Sequence, residues 1–370
     1  MLAALPNQIN RGVRILFLVP YPHGQAPGQR FRYEQYLDLL RKRGHSYRLS
    51  PFLSPDTWAI LYRPGHLLAK IMGVLAGFGR RCVDLLRAPF YDRIFVYREA
   101  SPIGPPIVEW LLAKVLRKRI IYDFDDAIWL ADPAGEQTFI SSLKWQRKVE
   151  SICRWAYKIG CGNAYLQAYA HQFNKRAMIN PTTLDTEHLH NQVREQNSLE
   201  RLIIGWTGTH STLRHLDLVW PVLEQLEREG YDFEFCVISN EPPATRPNLR
   251  SMTYVPWRKA TEINDLMRFH VGLMPLVDDP WARGKCAFKA LQYMALGMPA
   301  LVSPVGMNTE VVRDGYNGFV CEDDKEWYAA LRRLLANPEL RVIQGTAARQ
   351  TIVERYSVLS NQANFLSLFE

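Results

Sequence analysis

Lys285, Lys289 and Gln292 are spaced four and three residues apart, and Arg283 and Gly284 come immediately before them. On a helix these positions share one face. Cations in the first turns of a helix oppose its macrodipole, which is positive at that end. A bound anion would resolve the conflict, because it meets the ammonium groups and the helix N-terminus together; solvated surface lysines are the plainer alternative. A second anion-site pattern follows the apolar run Leu202–Gly205, where Gly208, Thr209, Ser211 and Thr212 form a short polar loop. Such a loop presents N–H groups and hydroxyls to a phosphate at a helix start, or simply caps that helix. Asp123, Asp125 and Asp126 end another apolar run. One of them, Asp126 by preference, is suited to orient a hydroxyl or take its proton. The D-x-D form of Asp123 and Asp125 also fits a divalent ion, and capping of a turn at Ala127 is the structural alternative. Arg30 and Arg32, after the first apolar run, are placed to meet phosphates, with surface solvation as the alternative. Trp281 precedes the lysines and can stack on a sugar or base.

Positioning these residues requires elements whose ends converge. Short apolar runs alternate with helical patterns along the chain. The expected strands in the front half are 13–20, 46–52, 91–97, 119–124, 158–162 and 175–180. Those in the rear half are 202–205, 233–239, 252–256, 271–276, 300–304 and 318–321. Helices are expected between them, among others over 29–43, 65–87, 105–117, 140–157, 216–229 and 286–296. This alternation predicts βαβ units and parallel sheets buried on both faces. Right-handed crossovers then wind each sheet doubly. The polar stretch from Asn180 to Arg201 is the natural boundary. The fold class is therefore α/β, with two Rossmann-like doubly wound domains, 1–183 and 184–354, facing a central cleft where open α/β sheets bind ligands.

Composition sets limits on function. Of 370 residues, 47% are hydrophobic and 22% charged, which excludes a disordered chain. The six cysteines have no C-x-x-C pair, so a zinc ribbon or disulfide scaffold is not expected and a reduced, cytoplasmic compartment is. Residues 1–195 hold 27 Lys and Arg against 16 Asp and Glu, while the remainder nets −3. A basic front lobe suits phosphate-bearing substrates or an anionic membrane surface; nucleic acid is not expected, since no aromatic-interleaved basic stretch is present. Met1–Pro6 is too short for a signal peptide. Gly65–Arg87 is too interrupted by charge to span a bilayer but has the composition of a helix lying on one, at the inner face of the membrane, or of one packed on a sheet. No G-x-G-x-x-G follows a strand, which disfavours an NAD-linked dehydrogenase.

The run Gly284-Lys285, Lys289, Gln292-Tyr293-Met294-Ala295, Gly297 and Pro299, followed by Ser303-Pro304-Val305-Gly306 and Asn308, resembles the donor-binding segment of family 4 glycosyltransferases. The likeness extends to Ile204–Gly208 with Ser211-Thr212, Gly272–Leu276, Asn317-Gly318, Tyr122–Ala127, Gly162-Asn163, and Pro181-Thr182 with Asp185. The resemblance implies the GT-B fold and a retaining enzyme. It also implies a nucleotide-diphosphate sugar in the rear lobe and a hydroxyl acceptor on the front lobe, in glycan, polysaccharide or glycolipid biosynthesis. It implies a terminal helix, 355–370, packed back on the front lobe. No tightly bound cofactor and no metal are expected. The family's two glutamates fall on Gly284 and Gln292, and its usual Arg and Lys after the first rear strand are replaced by the Thr207–Thr212 loop. Neutralisation of the diphosphate would then rest on Arg283, Lys285 and Lys289 with the Gly208 and Thr209 backbone. Gln292 would face the ribose hydroxyls as a neutral amide. A sugar-nucleotide epimerase, a phosphorylase and a non-catalytic nucleotide-sugar-binding subunit are the alternatives on the same architecture.

Overall fold

A computed structural model describes residues 12–61, 63–130, 145–196, 201–243 and 249–370. The stretch Met1–Pro6, the beginning of the helix expected over 140–157 and residues 197–200 of the linker lie outside them. The front sheet comprises β1 (Arg14–Val19), β2 (Ser46–Pro51), β3 (Arg93–Tyr97), β4 (Arg119–Phe124), β5 (Lys158–Cys161) and β6 (Ala177–Ile179). The rear sheet comprises β7 (Leu202–Gly208), β8 (Phe233–Ser239), β9 (Met252–Pro256), β10 (Val271–Met274), β11 (Ala300–Val302) and β12 (Gly318–Val320). The spatial orders are β2-β1-β3-β4-β5-β6 and β12-β11-β10-β7-β8-β9, and every strand pairing is parallel. Strands such as β1, β4 and β8 are buried on both faces beyond their first residues, which is why their sequences read as nearly unbroken apolar runs. Each expected strand is present, and both sheets are doubly wound.

The helices depart from their expected spans where local chemistry intervenes. The stretch expected over 29–43 breaks into Pro27–Arg30, a 3₁₀ turn at Glu34–Tyr36 and Leu37–Lys42. Gln29 explains the first break. Its buried amide bonds back to both the N–H and C=O of Tyr21 and to Glu34. The helix expected over 216–229 becomes a 3₁₀ stretch, His210–Leu218, and an α-helix, Trp220–Arg228. Pro221 has no N–H to extend the earlier turn and instead sits in the first turn of the second helix. The helix expected over 286–296 begins only at Phe288 because Ala287 adopts φ 52°, a left-handed conformation.

The terminal helix Val358–Ser367 lies on the front lobe, with Phe365 stacked on Tyr36 at 4.3 Å and Asn364 donating to the Ile179 carbonyl at 3.0 Å. His190 is fully buried beside Phe31, and neither ring nitrogen has a hydrogen-bond partner among the described residues. Burial, then the charges of Arg349 and Arg30, pull it from 6.5 to about 3. The folded state holds this ring neutral, so protonation in the unfolded chain favours unfolding as pH falls from 6.5 towards 3. The melting temperature of His190→Leu is therefore expected to fall less steeply over that interval than that of the wild type; equal slopes would exclude His190 as a source of acid sensitivity.

Candidate functional site

In each sheet the strand order reverses at one point, between β1 and β3 in front and between β7 and β10 behind. Loops leaving the carboxyl ends of these strands line the crevice that such a reversal opens. Here the two crevices face each other and form one cavity of about 350 Å³. Tyr21, Gly28, Trp58, Tyr97, Arg98 and Asp126 line it from the front; Thr209, Ser211, Arg214, His215, Trp281 and Lys285 line it from the rear.

Asp126 receives Arg98 at 2.9 Å and lies 3.8 Å from the Lys285 ammonium, so it bridges the lobes. Asp125 accepts from the Tyr97 hydroxyl and from Arg98, both at 2.8 Å. Burial alone would raise the Asp125 carboxyl, but Arg98, Arg32 and the Tyr97 hydroxyl together hold it below the usual carboxylate range. Lys289 lies over the Trp206 ring at 5.4 Å. Among the described residues no carboxylate is paired with it. Burial first, then the Lys285 charge, pull the Lys289 amine down to about 7. Its helix, Phe288–Ala295, has no side-chain cap and no acidic residue in its first turn. Two ammonium groups and an uncapped helix N-terminus thus share one carboxylate, Asp126. The surplus positive potential suits a multiply charged anion.

His215, buried on the cavity wall, accepts the Val277 N–H on Nδ1 at 3.3 Å. Its Nε2 therefore carries the proton, and burial with the charges of Lys289, Arg214 and Lys285 keeps the ring neutral, at about 4. Thr209 and Thr212 form a capping box, with the Thr209 N–H given to Thr212 Oγ1 at 3.2 Å. That corrects the expectation of a free Thr209 N–H for a phosphate. Gly208 is closely covered, since a Cβ there would lie 2.7 Å from Thr212 Oγ1. The Ser211 hydroxyl bonds that of Thr209 at 2.9 Å.

Four further expectations require correction. Arg32 and Asp123, at 0% and 1% side-chain exposure, form a two-point ion pair at 2.6 and 3.0 Å inside the front lobe. Neither reaches a phosphate or an acceptor. With Asp123 held by Arg32 and Asn180 and Asp125 held by Arg98, the D-x-D carboxylates are already neutralised and make a poor cation site. Arg283 turns outward at the rim, half-exposed and bonded twice to Asp278. Gln292 is buried, its amide 3.4 Å from Glu262, which in turn receives Arg30 at 2.7 Å. Arg30 and Gln292 thus meet through Glu262, a residue with no signal in the sequence, and together they tie the lobes shut.

Gly284 also has a contact role. A Cβ there would lie 2.7 Å from Ala127 Cβ and 2.8 Å from Ala127 N, so the rear loop touches the front backbone. No side chain fits without parting the lobes, which accounts for glycine at a position where the resemblance implies glutamate. Asn163 secures the same contact, its amide donating to the Arg283 and Lys285 carbonyls at 3.3 and 3.0 Å. Gly284→Ala is expected to lower the melting temperature, because its Cβ overlaps the Ala127 backbone, and to lower kcat/KM by about tenfold to hundredfold through misplacement across the cleft. Unchanged kinetics would show that the closed contact is not used.

Arg98, Arg214 and His215 were not singled out from the sequence, although Arg98 directly follows an expected strand, which is the signal that could have found it. Asp126, Lys285, Ser211 and Thr209 do stand on the cavity wall.

Residues 201–337 match the family model described as Glycosyl transferases group 1. No curated protein sequence matches the chain. Among solved structures, a sucrose-phosphate synthase from Thermosynechococcus elongatus superposes with a TM-score of 0.70 at 14% identity, covering 97% of this chain and 98% of its own. HepE of Anabaena, solved with UDP and glucose, gives 0.62 at 13% identity over 96% and 99%. The catalytic domain of starch synthase IV from Arabidopsis thaliana, bound to ADP and acarbose, gives 0.68 at 10% over 97% and 99%. These matches establish the GT-B architecture.

Proposed function

We propose that this chain, a GT-B protein whose rear lobe carries a group 1 glycosyl transferase domain, is a retaining glycosyltransferase. It moves a sugar from a nucleoside-diphosphate donor to a hydroxyl of a glycan, polysaccharide or lipid-linked acceptor. The observation that carries this reading is the pair Lys285, on the wall of the interlobe cavity, and Lys289, in the first turn of the uncapped helix that follows it and not itself on that wall.

The chemistry follows from charge. As the anomeric C–O bond breaks, the sugar becomes cationic and the departing diphosphate gains negative charge. Cations fixed beside that diphosphate stabilise the transition state more than the ground state. Lys285 and Lys289 supply them, with the first N–H groups of Phe288–Ala295. The acceptor oxygen bonds the anomeric carbon and loses its proton, and Asp126, held by Arg98, is the carboxylate placed to orient that hydroxyl or take the proton. Trp281, under the Lys285 ammonium at 5.8 Å, offers a flat face to a sugar or base. No metal step is needed in this scheme. Retention of the anomeric configuration rests on the likeness of segment 284–308 to family 4 enzymes.

Incubation with a panel of nucleoside-diphosphate sugars tests the proposal. Release of nucleoside diphosphate with transfer or slow hydrolysis is expected, and proton NMR of the product should show the donor's anomeric configuration. An isomerised donor would mark an epimerase, and binding without turnover a non-catalytic subunit.

A further inference from the structure

The helix Leu67–Arg87 is built inside out. Its inward face carries Gly73, Gly77, Arg81 and Asp84. The glycines let the backbone approach closely, since a Cβ on Gly73 would overlap Thr57 and one on Gly77 would lie 2.7 Å from Phe52. Arg81 is fully buried and bonds Asp84 and the carbonyls of Ser50, Val19 and Ala100. Most of its large apolar residues therefore point outward, Val74 and Leu85 being half-buried. Leu67, Leu68 and Leu86 are 69%, 74% and 77% exposed, and Ile71, Met72, Leu75 and Phe78 join them on the same face. A surface helix of a globular protein has the opposite arrangement, with its apolar stripe to the core, and a contiguous outward stripe of this length marks an interaction face.

Charge selects the occupant. Between Asp56 and Asp92 the only carboxylate is Asp84, which is buried. Arg63, Lys70 and Arg87 flank the apolar stripe, whereas Arg80 turns inward to the Phe52 carbonyl. At the end of the helix an open groove of about 400 Å³ is lined by Arg14, Arg48, Arg87, Phe90 and Tyr91. Arg14 is paired with Asp92; Arg48 and Arg87 have no ion-pair partner among the described residues. An apolar stripe rimmed by cations and ending in an arginine-lined groove matches acyl chains beneath anionic headgroups. No helix among the described residues is long and apolar enough to cross a membrane.

We infer that the helix Leu67–Arg87 docks the protein on an anionic phospholipid bilayer, with its outward apolar face in the acyl boundary and Arg48 and Arg87 on headgroup phosphates. The docked face lies next to the cavity. Helix Pro55–Ile60 packs against it at Gly73, and Trp58 of that helix meets the Tyr21 ring, tilted by 51° at 4.7 Å between centroids, on the cavity wall. Docking thus brings the front of the cavity to the headgroup layer, where the hydroxyl of a lipid-linked acceptor would be. The surface itself stands independently of the glycosyl-transfer reading.

The test is co-sedimentation of the full chain with phosphatidylcholine vesicles, with and without phosphatidylglycerol, in the absence of any donor. Binding to the anionic vesicles is expected, weakened by salt. It should fall by about tenfold or more in Arg48→Glu/Arg87→Glu and likewise in Leu68→Ser/Leu75→Ser/Leu86→Ser. All five positions are solvent-facing, so both variants should fold, and donor turnover in solution should be unaltered in them. Cys82 is the one exposed cysteine. It lies on the same face, four residues from both Phe78 and Leu86, so an environment-sensitive label on it should report an apolar setting on vesicle addition. Failure of the wild type to bind anionic vesicles would overturn the inference, as would equal binding by both variants. A dimer abolished by the leucine substitutions, without vesicle binding, would overturn it in favour of a second copy.

Discussion

Replacing Lys289 by alanine is expected to lower turnover by about 10²–10³-fold, the usual effect of losing one fixed donor from a site where negative charge develops. The melting temperature should change little or rise, because the ammonium is half-buried and no carboxylate among the described residues is paired with it. The pH dependence gives a second, sharper readout. With its amine at about 7, Lys289 is charged below that value and loses its proton as pH rises through it. Affinity for a nucleoside diphosphate should therefore fall as pH rises through about 7 in the wild type. Binding of the diphosphate should in turn raise the Lys289 pKa, since a neighbouring anion favours the charged form. Lys289→Ala should flatten the pH profile between 6 and 8. Lys285→Ala should move the inflection upward, because the Lys285 charge is the second cause of the depression. Unchanged turnover in Lys289→Ala would remove it from the mechanism.

The second large effect concerns stability. Asp123→Ala leaves the Arg32 guanidinium buried without its two-point partner. Breaking a buried pair from one side costs about 3–5 kcal/mol, a large part of the margin of an ordinary domain. The expected outcome is a sharply lowered melting temperature or loss of soluble protein. Asp125→Ala, on the cavity side, should be milder because Arg98 retains Asp126. A fully stable, inactive Asp123→Ala protein would contradict the structural role and restore the acceptor-side role expected from the sequence.

The contrast between these two sites shows what the sequence could carry. Strands were legible because a strand buried on both faces must be apolar at nearly every position, and β1, β3, β4 and β8 are. Lys285 was legible as a cation beside an anion site, but not its setting: the helix begins only at Phe288, so Lys285 stands in the loop before it on the cavity wall and not on the helix face that its spacing to Lys289 and Gln292 predicts. Arg32 with Asp123 was not legible. The two residues are far apart in sequence and look like any cation and carboxylate beside a site, and only the paired fold reveals that they neutralise each other. Arg283 failed for the opposite reason. It lies five residues from Asp278 and bonds it locally, which turns it away from the cavity. The start of the lysine-bearing helix was misplaced because Ala287 takes a left-handed φ that local propensity opposes. That strain is tolerated where surrounding contacts fix the chain, and it orients the first turn of Phe288–Ala295.

Glu262 is the clearest case of information that is wholly tertiary. It joins Arg30 of the front lobe to Gln292 of the rear lobe. Lobe closure in this protein is held by that ion pair, by Lys285 with Asp126, and by the tight Gly284–Ala127 approach. On the proposed reading, a donor entering the cavity meets Lys285 while Asp126 competes for the same ammonium, which would couple donor binding to the carboxylate proposed for the acceptor.

The most direct measurement is a crystal structure of the protein with a nucleoside diphosphate. The diphosphate is expected within hydrogen-bonding distance of the Lys285 and Lys289 ammonium groups, at the start of helix Phe288–Ala295 and inside the interlobe cavity. A nucleotide bound elsewhere, with both lysines left free of it, would contradict the account.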